Sequence, residues 1–548
     1  MRHLLVVLGD QLDSKSDLLQ AADPEQDAVW MAEVDQENTH VWCHQQRIVF
    51  FLSAMRHLRN ALQQQGLPVH YHELSADQAQ DRGRSFYEIL RDDLSRLSPQ
   101  KVRVVQPGDV RVLQQLQRAC HESRIELEVV DDSHFLCSPS EFSEWASGRK
   151  TLVMEHFYRW MRRRHNVLME DDGQPTGSQW NFDHDNRESP RKMLSDSGRG
   201  SSAVPSGKSA RSLFADASTD QPRTATGVVE PLRFSPDDIT TEVMRLVEVR
   251  FADHPGRLET FSLPVTRDDA LTLLEHFVRH QLPNFGRLQD AMWTDLDFLN
   301  HSRLSAAINV HLLSPKEVID AAVSGYHDNN LPLNSVEGFV RQILGWREFV
   351  RGVYFLRMPE YTGLNFLKHD RPVPSFFWNG QTTMNCVRRC MTNVLNNAYA
   401  HHIQRLMVLG NFAQLWGTNP LQFHEWHMAM YCDAIDWVSL PNTVGMSQYG
   451  DGGIVGTKPY CSSGNYIHRM SNYCDNCHFD YRQRTGDQAC PFTTLYWHFL
   501  DRHHDQLKDN GRMKLAMKNL VSLRSDPKQI AAIRERAEWL FEHLEAMD

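Results

Sequence analysis

The chain has 548 residues, too many for one hydrophobic core, so two or three domains are expected. A net charge of −11 and a sequence pI near 6.2 exclude a surface made uniformly for polyanions, although local basic patches are compatible with nucleic acid. No apolar run approaches the ~20 residues of a membrane span, and the apolar run after His3 is too short for a signal peptide. A cytoplasmic protein with no membrane partner is therefore expected.

The first quarter of the chain alternates strand-like and helix-like segments. Apolar runs predict strands at 4–8, 28–34, 68–73, 102–105 and 125–130. Helical periodicity predicts helices at 45–65, 83–97 and 110–121. This alternation predicts an α/β domain over residues 1–135, with a doubly wound, Rossmann-like parallel sheet.

Polar residues follow the first two predicted strands. Gly9-Asp10-Gln11 comes after the first, and Glu33, Asp35 and Glu37 come after the second. Ligands of doubly wound sheets bind beyond the carboxyl ends of the strands, so these residues are candidates for binding. Each acidic residue, taken alone, is more often a helix cap or a turn former.

Residues 136–234 are predicted to connect this domain to the rest of the chain. The segment 149–165 is basic and amphipathic, and its arginines could contact phosphates, although such a run is more often a solvated helix face. Residues 188–227 are rich in Ser, Gly, Pro, Arg and Asp, which predicts a flexible insertion without chemistry.

The second half, residues 235–548, is predicted to be all-α. Periodic segments predict helices at 236–252, 267–281, 314–326, 336–355, 386–409, 419–431 and 528–546. The segment 440–492 is instead irregular and rich in glycine.

Cysteines mark a candidate metal site within this irregular segment. Cys474 and Cys477 form a CxxC pair, and Cys490 follows thirteen residues later, directly before a proline. A fourth ligand would come from upstream, where the candidates are Cys461, Cys432, Cys390 and Cys386. The spacing leaves an iron–sulfur cluster, a zinc ion and no metal as alternatives.

Three motifs of the helical half could carry chemistry. Ser302 and Ser305 open a helix, where hydroxyls cap the helix or bind phosphate. Trp346 precedes an Arg-Glu pair that is expected to form an internal ion pair. His401 and His402 are predicted to be adjacent on one helix and to point about 100° apart, so one could act as an acid or base while the other orients it. Two satisfied core histidines are the alternative.

These motifs together resemble the photolyase/cryptochrome superfamily. The resemblance rests on GDQL (9–12), HSRLS (301–305), GWREF (345–349), AHHIQRL (400–406) and the late CxxC…CP pattern. More narrowly, the chain resembles the iron–sulfur bacterial branch, the prokaryotic (6-4) photolyases, over nearly its whole length except 188–227. The resemblance implies an antenna-binding α/β domain followed by a large all-α FAD-binding catalytic domain.

The resemblance also implies three bound groups. A 4Fe–4S cluster would be held by Cys386, Cys474, Cys477 and Cys490. The residues implied for FAD are Ser302, Leu304, Ser305, Trp346, Arg405, Asp433 and Ser439. Arg405 and Asp433 would form an ion pair beside the flavin ring, and Ser439 would face flavin N5, where relatives carry Asn or Glu. A 6,7-dimethyl-8-ribityllumazine antenna would contact Asp10, Gln11 and Glu37.

The implied reaction is light-driven repair of UV-damaged DNA. Excited reduced FAD would pass an electron to a flipped-out (6-4) photoproduct, with His402 as the first choice for the proton donor and His401 as its companion. The residues implied for the lesion pocket are Tyr460, Tyr466 and Asp183. Trp426 and Trp378 match an electron route for photoreduction. His427 replaces the tyrosine of relatives, so Tyr431 is a candidate for the terminal step.

Three other functions compete with this hypothesis. A cryptochrome-like photoreceptor would keep FAD and the cluster without repair. A cyclobutane pyrimidine dimer photolyase would leave the histidine pair without an obvious task. A zinc-stabilised nucleic-acid-binding protein would contain no flavin. The protein is expected to be a monomer.

Overall fold

The computed structural model describes residues 1–186, 188–191 and 228–546. The predicted insertion at 188–227 lies outside the described residues except for its first four. These four are held against the cysteine-bearing loop, because Arg191 donates to both carboxylate oxygens of Asp475 at 2.7 and 3.1 Å.

The α/β domain has the predicted sheet. The strands are β1 (His3–Val6), β2 (Ala28–Ala32), β3 (Val69–His72), β4 (Lys101–Val105) and β5 (Glu126–Val130). All pairings are parallel, and the order β3-β2-β1-β4-β5 reverses direction between β1 and β4. Leu5 packs into one hydrophobic core and its neighbours Leu4 and Val6 pack into another, so both faces of the sheet are covered. The doubly wound architecture is confirmed.

Helices flank the sheet and link it to the second half. The α-helices up to residue 186 are Asp17–Gln20, Asp35–Thr39, Gln45–Gln64, Phe86–Leu97, Val110–Ser123, Pro139–Ala146 and Met154–His165. In the basic helix Met154–His165, Arg162 is buried, Arg164 pairs with Glu141 and Arg159 pairs with Glu155 at 2.9 Å. These contacts fit the helix-face alternative, because much of the charge is satisfied within the protein.

The described part of the second half consists of helices joined by irregular segments, the longest of which include 448–463 and 471–490. The α-helices are Asp238–Arg250, Arg267–His276, Leu282–Leu288, Ser305–Asn309, Pro315–Asn329, Leu333–Val340, Glu348–Arg357, Phe376–Asn379, Asn385–Asn397, Asn411–Trp416, Pro420–Met430, Asp436–Leu440, Gly464–Met470, Pro491–Arg502, His504–Leu507, Lys514–Arg524 and Pro527–His543. Short 3-10 helices lie at Gln78–Gln80, Thr176–Ser178, Asp183–Asn186, Glu360–Gly363, Gly511–Met513 and Leu544–Ala546. No helix in the described ranges is long and apolar enough to cross a membrane.

Four helices contain a wider π-helical stretch, at Phe277–Gln281, Arg341–Arg347, Gln404–Gly410 and Pro441–Ser447. Such stretches are rare in proteins and are frequent at functional sites. Two of them carry residues implied for FAD, namely Trp346 and Arg405, and a third begins two residues after Ser439.

The prediction of one helix over 386–409 is wrong. The helix Asn385–Asn397 ends because Ala398 takes a left-handed conformation with φ of 45°. The chain is non-helical through His401, and helical structure resumes at His402. The two histidines therefore stand at the start of a helix, at a bend, and not side by side in its middle.

Candidate functional site

A buried ion pair lies at the centre of the helical half. The Arg405 guanidinium donates to both oxygens of Asp433 at 2.9 and 3.0 Å. Ser305 Oγ also donates to Asp433, at 2.6 Å. Burial alone would raise the pKa of Asp433, but Arg405 and Ser305 hold that pKa below its usual value. Three of the residues implied for FAD are thus in direct contact.

The remaining residues implied for FAD come from neighbouring segments. Ser302 Oγ accepts a hydrogen bond from the Leu304 N–H at 3.2 Å, and Leu304 is fully buried. Trp346 is half-buried. The adjacent Arg347 forms the predicted internal ion pair with Glu348, at 3.2 Å.

Ser439 is hydrogen-bonded to a histidine. The distance from Ser439 Oγ to His427 Nδ1 is 2.8 Å. The pKa of His427 is well below its usual value because the ring is buried and Arg405 is near. A neutral imidazole therefore contacts the residue that was expected to face flavin N5.

The two candidate catalytic histidines occupy different environments. His401 is buried and stacks on His301, with ring centroids 4.5 Å apart and planes 11° apart. Neither ring nitrogen of His401 has a hydrogen-bond partner among the described residues, nor has Nε2 of His301. Unpartnered buried polar atoms cost about 1–3 kcal/mol each, so these ring nitrogens are suited to hydrogen-bond a bound polar group.

His402 is exposed to solvent, unlike His401. Its pKa is lowered to about 4, because the surrounding protein desolvates the ring and the Arg405 guanidinium is near. His402 therefore lies within electrostatic reach of Arg405, one member of the Arg405–Asp433 pair. Burial and the neighbouring His402 likewise lower the pKa of His301 to about 3.

The residues implied for the lesion pocket come from separate loops. Asp183 begins a short 3-10 helix and pairs with Arg341, which starts the π-helical stretch that carries Trp346. Tyr460 and Tyr466 are half-buried. Tyr466 lies on the helix Gly464–Met470, next to the cysteine-bearing loop.

The residues implied for electron transfer begin beside the ion pair. The Arg405 guanidinium lies 4.0 Å from the centre of the Tyr431 ring, and Tyr431 lies 5.7 Å from Trp426. Trp426 Nε1 donates to the Phe377 carbonyl at 2.8 Å, and the two rings are 5.1 Å apart. Trp378 is the residue directly after Phe377 in the chain.

The four cysteines implied for the cluster converge. Cys386 lies in the first turn of one helix, Cys490 immediately precedes another, and Cys474 and Cys477 close a turn between them. The pKa of the Cys386 thiol is raised well above its usual value by burial and by the other three thiolates. A side chain at Gly464 would come within 3.0 Å of the Cys490 Sγ.

These thiols lie close enough to interact electrostatically, and Cys390, which is outside the implied set, also contributes to the shift at Cys386. Among the described residues, however, no group of three or more His, Cys, Asp or Glu side chains has the arrangement of a metal site. All ten cysteines are free thiols, and Cys390, Cys432 and Cys461 are the other late cysteines outside the implied set.

A cavity lies at the sheet, where the strand order reverses. Asp10 follows β1 and Glu37 follows β2, and both line this cavity. Residues after β4, among them Asp109 and Arg111, complete the wall, and Met428 and Asp436 of the helical half close it. The expectation that Asp10 and Glu37 share a site at the strand ends agrees with this geometry.

The charged side chains of this cavity interact closely with one another. Arg111 donates to both oxygens of Glu37 at 2.7 and 2.9 Å and contacts Asp109 at 2.9 Å. Burial and nearby carboxylates, of which Asp132 is the first, raise the pKa of Asp10 to about 7. Sequence reasoning missed Asp109 and Arg111, although Asp109 follows a predicted strand and obeys the same rule as Asp10.

Gln11 is not part of this cavity. Its amide donates to the carbonyls of Val105 and Gln106 at 3.0 and 3.3 Å, and it lines a neighbouring cavity with His134 and His311. The structure therefore separates Gln11 from Asp10 and Glu37. Glu33 and Asp35, the other acidic residues after β2, pair with Arg56 and Arg250, both at 2.8 Å.

Comparison with known proteins agrees with this architecture. A family model described as deoxyribodipyrimidine photo-lyase-related protein matches residues 5–200. A (6-4) photolyase from Agrobacterium fabrum is 44% identical over 513 residues, which cover 94% of each chain.

Two solved structures share the fold. A bacterial class III photolyase from Agrobacterium tumefaciens has a TM-score of 0.52 at 14% identity, covering 97% of this chain and 98% of the other. A cryptochrome from Synechocystis sp. PCC6803 has a TM-score of 0.50 at 13% identity, covering 86% and 88%. The chain belongs to the photolyase/cryptochrome superfamily, in the family of the Agrobacterium (6-4) photolyase.

Proposed function

We propose that the protein is a (6-4) photolyase, a light-dependent enzyme that repairs pyrimidine–pyrimidone (6-4) photoproducts in UV-damaged DNA. The observation that carries the proposal is the position of His402, which is open to solvent within electrostatic reach of the buried Arg405–Asp433 pair. The full-length similarity to a (6-4) photolyase supports it.

FAD, which membership of the superfamily implies, would supply the electron when it is reduced and excited by light. Arg405 would lie beside the flavin ring and stabilise negative charge on it. Asp433 would lower the cost of burying that guanidinium, and Ser305 would fix the carboxylate. Ser302, Leu304 and Trp346 would complete the binding surface.

The histidines would handle the proton that (6-4) repair must move. With a pKa of about 4, His402 is neutral near pH 7 before DNA binds. Bound DNA phosphates and an anionic flavin would both favour the protonated ring and raise that pKa. His402 would then donate a ring N–H proton to the oxygen that moves between the bases, and His401, stacked on His301, would hold the bend that presents it.

The lesion would be held between separate loops. Tyr460 and Tyr466 offer half-buried rings for stacking on a flipped base. Asp183, paired with Arg341, would supply an acceptor near the entrance.

Two further groups belong to the proposal. Four converging thiols without histidine suit a 4Fe–4S cluster, so Cys386, Cys474, Cys477 and Cys490 are proposed to hold one. The acidic cavity at the strand ends is proposed to bind 6,7-dimethyl-8-ribityllumazine through Asp10 and Glu37.

Reduction of the flavin is proposed to use the aromatic line that starts at Tyr431. Because Tyr431 is fully buried beside Arg405, it lies at the inner end of this line and does not suit the terminal step at the surface. Trp426 would be oxidised first, because it is buried and contacts Tyr431, and Trp378 would be oxidised next.

A repair assay tests the proposal. An oligonucleotide with one (6-4) photoproduct is illuminated with blue light, and the undamaged sequence is measured. The wild type and a control with His327→Ala, an exposed residue on the helix Pro315–Asn329, are expected to repair it. His402→Ala is expected to lose at least about 100-fold in rate with FAD still bound. Repair by His402→Ala would refute the acid assignment, and an intact lesion in the wild type with normal flavin photoreduction would refute repair.

A photoreceptor without repair is the second candidate, favoured by the shared fold of the Synechocystis cryptochrome. It predicts photoreduction and no loss of either lesion. A parallel oligonucleotide with a cyclobutane dimer identifies the other photolyase class. A flavin-free zinc protein disagrees with the superfamily membership, and iron analysis with a visible spectrum distinguishes a cluster from zinc.

A further inference from the structure

The aromatic line at the ion pair does not end at Trp378. Trp378 lies on the short helix Phe376–Asn379 of the helical half and is half-buried. Its ring contacts Trp42, with centroids 5.5 Å apart and planes at 43°. Trp42 belongs to the turn between the helices Asp35–Thr39 and Gln45–Gln64, so this contact joins the two domains.

Trp42 is 44% exposed, and among the described residues no other tryptophan belongs to the exposed large hydrophobic side chains. Exposing a large apolar ring to water is unfavourable, so the position of Trp42 calls for an explanation, and its contact with Trp378 offers one. The rings run from the buried Tyr431 through Trp426, Phe377 and Trp378 to solvent, and each step is a ring contact or a chain neighbour.

We propose that Trp42 is the solvent-exposed terminal donor of the photoreduction line, which places the exit of the route in the α/β domain. This inference rests on the proposed function of Trp426 and Trp378. Trp426 gives one electron to light-excited FAD and recovers it from Trp378, which recovers it from Trp42. The Trp42 radical cation then loses its Nε1 proton to water.

A dissolved thiol is the final source of the electron. It gives one hydrogen atom to the neutral Trp42 radical, which restores the indole, and two thiyl radicals combine to a disulfide. The positive charge of the oxidised ring would move outward along the line, because water stabilises a charged ring at the surface and the interior does not. A thiol too large to enter the protein can still reach a residue that is 44% exposed.

The test uses the full chain with FAD bound and three tryptophan variants. Trp42→Phe removes the oxidisable ring and keeps an aromatic side chain, whereas Trp42→Tyr keeps an oxidisable group. Trp539→Phe is the matched control, because Trp539 is also partly accessible but stacks on His543 of the C-terminal helix. FAD content and thermal unfolding establish that each variant is folded.

Time-resolved absorption after a light flash follows the tryptophan radical with increasing thiol. In Trp42→Phe the radical lifetime without thiol is expected to fall about tenfold, equivalent to about 1.4 kcal/mol, and to lose its dependence on thiol. Trp42→Tyr is expected to restore part of both, and Trp539→Phe to behave as the wild type. Mass spectrometry after illumination in air without thiol should find oxygenated indole at Trp42, because dissolved dioxygen adds to the radical that thiol no longer repairs; this readout is independent of flavin turnover.

Trp426→Phe separates the two ways of failing. If it blocks photoreduction while Trp42→Phe resembles the wild type, the line ends at Trp378 and the assignment of Trp42 is overturned. If Trp426→Phe also has no effect, the proposed route itself is wrong, and the role of Trp42 falls with it.

Discussion

Removing the carboxylate of the central ion pair should destabilise the protein and release FAD. Asp433→Asn keeps the side-chain shape but leaves the Arg405 guanidinium without a counter-charge. Breaking a buried pair costs about 3–5 kcal/mol. The two side chains are 17% and 10% exposed, so solvent screens the remaining charge in part and a loss of about 3 kcal/mol is expected.

Urea unfolding of the FAD-bound protein, followed by circular dichroism, measures this loss. Asp505→Asn is the control, because that carboxylate pairs with Lys508 on the surface and should matter little. In the double variant with Arg405→Met, part of the stability should return, since no unpaired charge remains buried. If Asp433→Asn unfolds at the wild-type urea concentration and retains FAD, the carboxylate does not neutralise Arg405, and the account of the flavin site fails.

Three other outcomes are expected. Cys474→Ser should lose iron and the visible absorption of the cluster, whereas Cys461→Ser should keep both; equal iron contents would exclude the four-cysteine site. Glu37→Gln should lose bound lumazine, measured by its fluorescence, because Arg111 then keeps Asp109 as its only charged partner in the cavity and the polar wall is rearranged. Stability should fall as pH drops from about 6.5 toward 4, because burial lowers the pKa of His44 and of His311 to about 4 each and the unfolded chain binds more protons. Each ring should lower the free energy of unfolding by about 1.4 kcal/mol at pH 5.5, and a free energy of unfolding that stays constant over this range would contradict the prediction.

The α/β domain could be predicted because its signals are local. Continuous apolar runs mark strands that are buried on both faces, and the reversal of strand order then fixes where Asp10 and Glu37 meet. The partners of these carboxylates were not predictable in the same way. Asp436 reaches the cavity from the helical half, more than 300 residues away, and no periodicity reports a contact at that distance.

The bend at His401 and His402 is a second feature that local sequence could not predict. Ala398 is a good helix former, so nothing local indicates that the helix stops there. The α/β domain supplies the reason: His44 Nε2 lies 3.0 Å from the carbonyl of Leu395, and the Gln46 amide donates to that of Asn396 at 2.6 Å. These side chains satisfy carbonyls that the next turn would otherwise use, so a tertiary contact ends the helix.

Two departures from the family pattern prove to be one feature. By the resemblance, His427 stands where relatives carry a tyrosine, and Ser439 stands where they carry Asn or Glu. The structure joins them by a hydrogen bond of 2.8 Å. Serine has neither the amide of Asn nor the carboxylate of Glu. Its hydroxyl is hydrogen-bonded to His427, however, so a change in the protonation or tautomer of that ring changes whether the hydroxyl donates or accepts. Because burial keeps the pKa of His427 well below its usual value, that ring is neutral, and Ser439 contacts a neutral imidazole that can either donate or accept a hydrogen bond. The two positions therefore have to be exchanged together when their effect on the flavin is measured, since replacing Ser439 alone leaves a buried imidazole nitrogen without its partner.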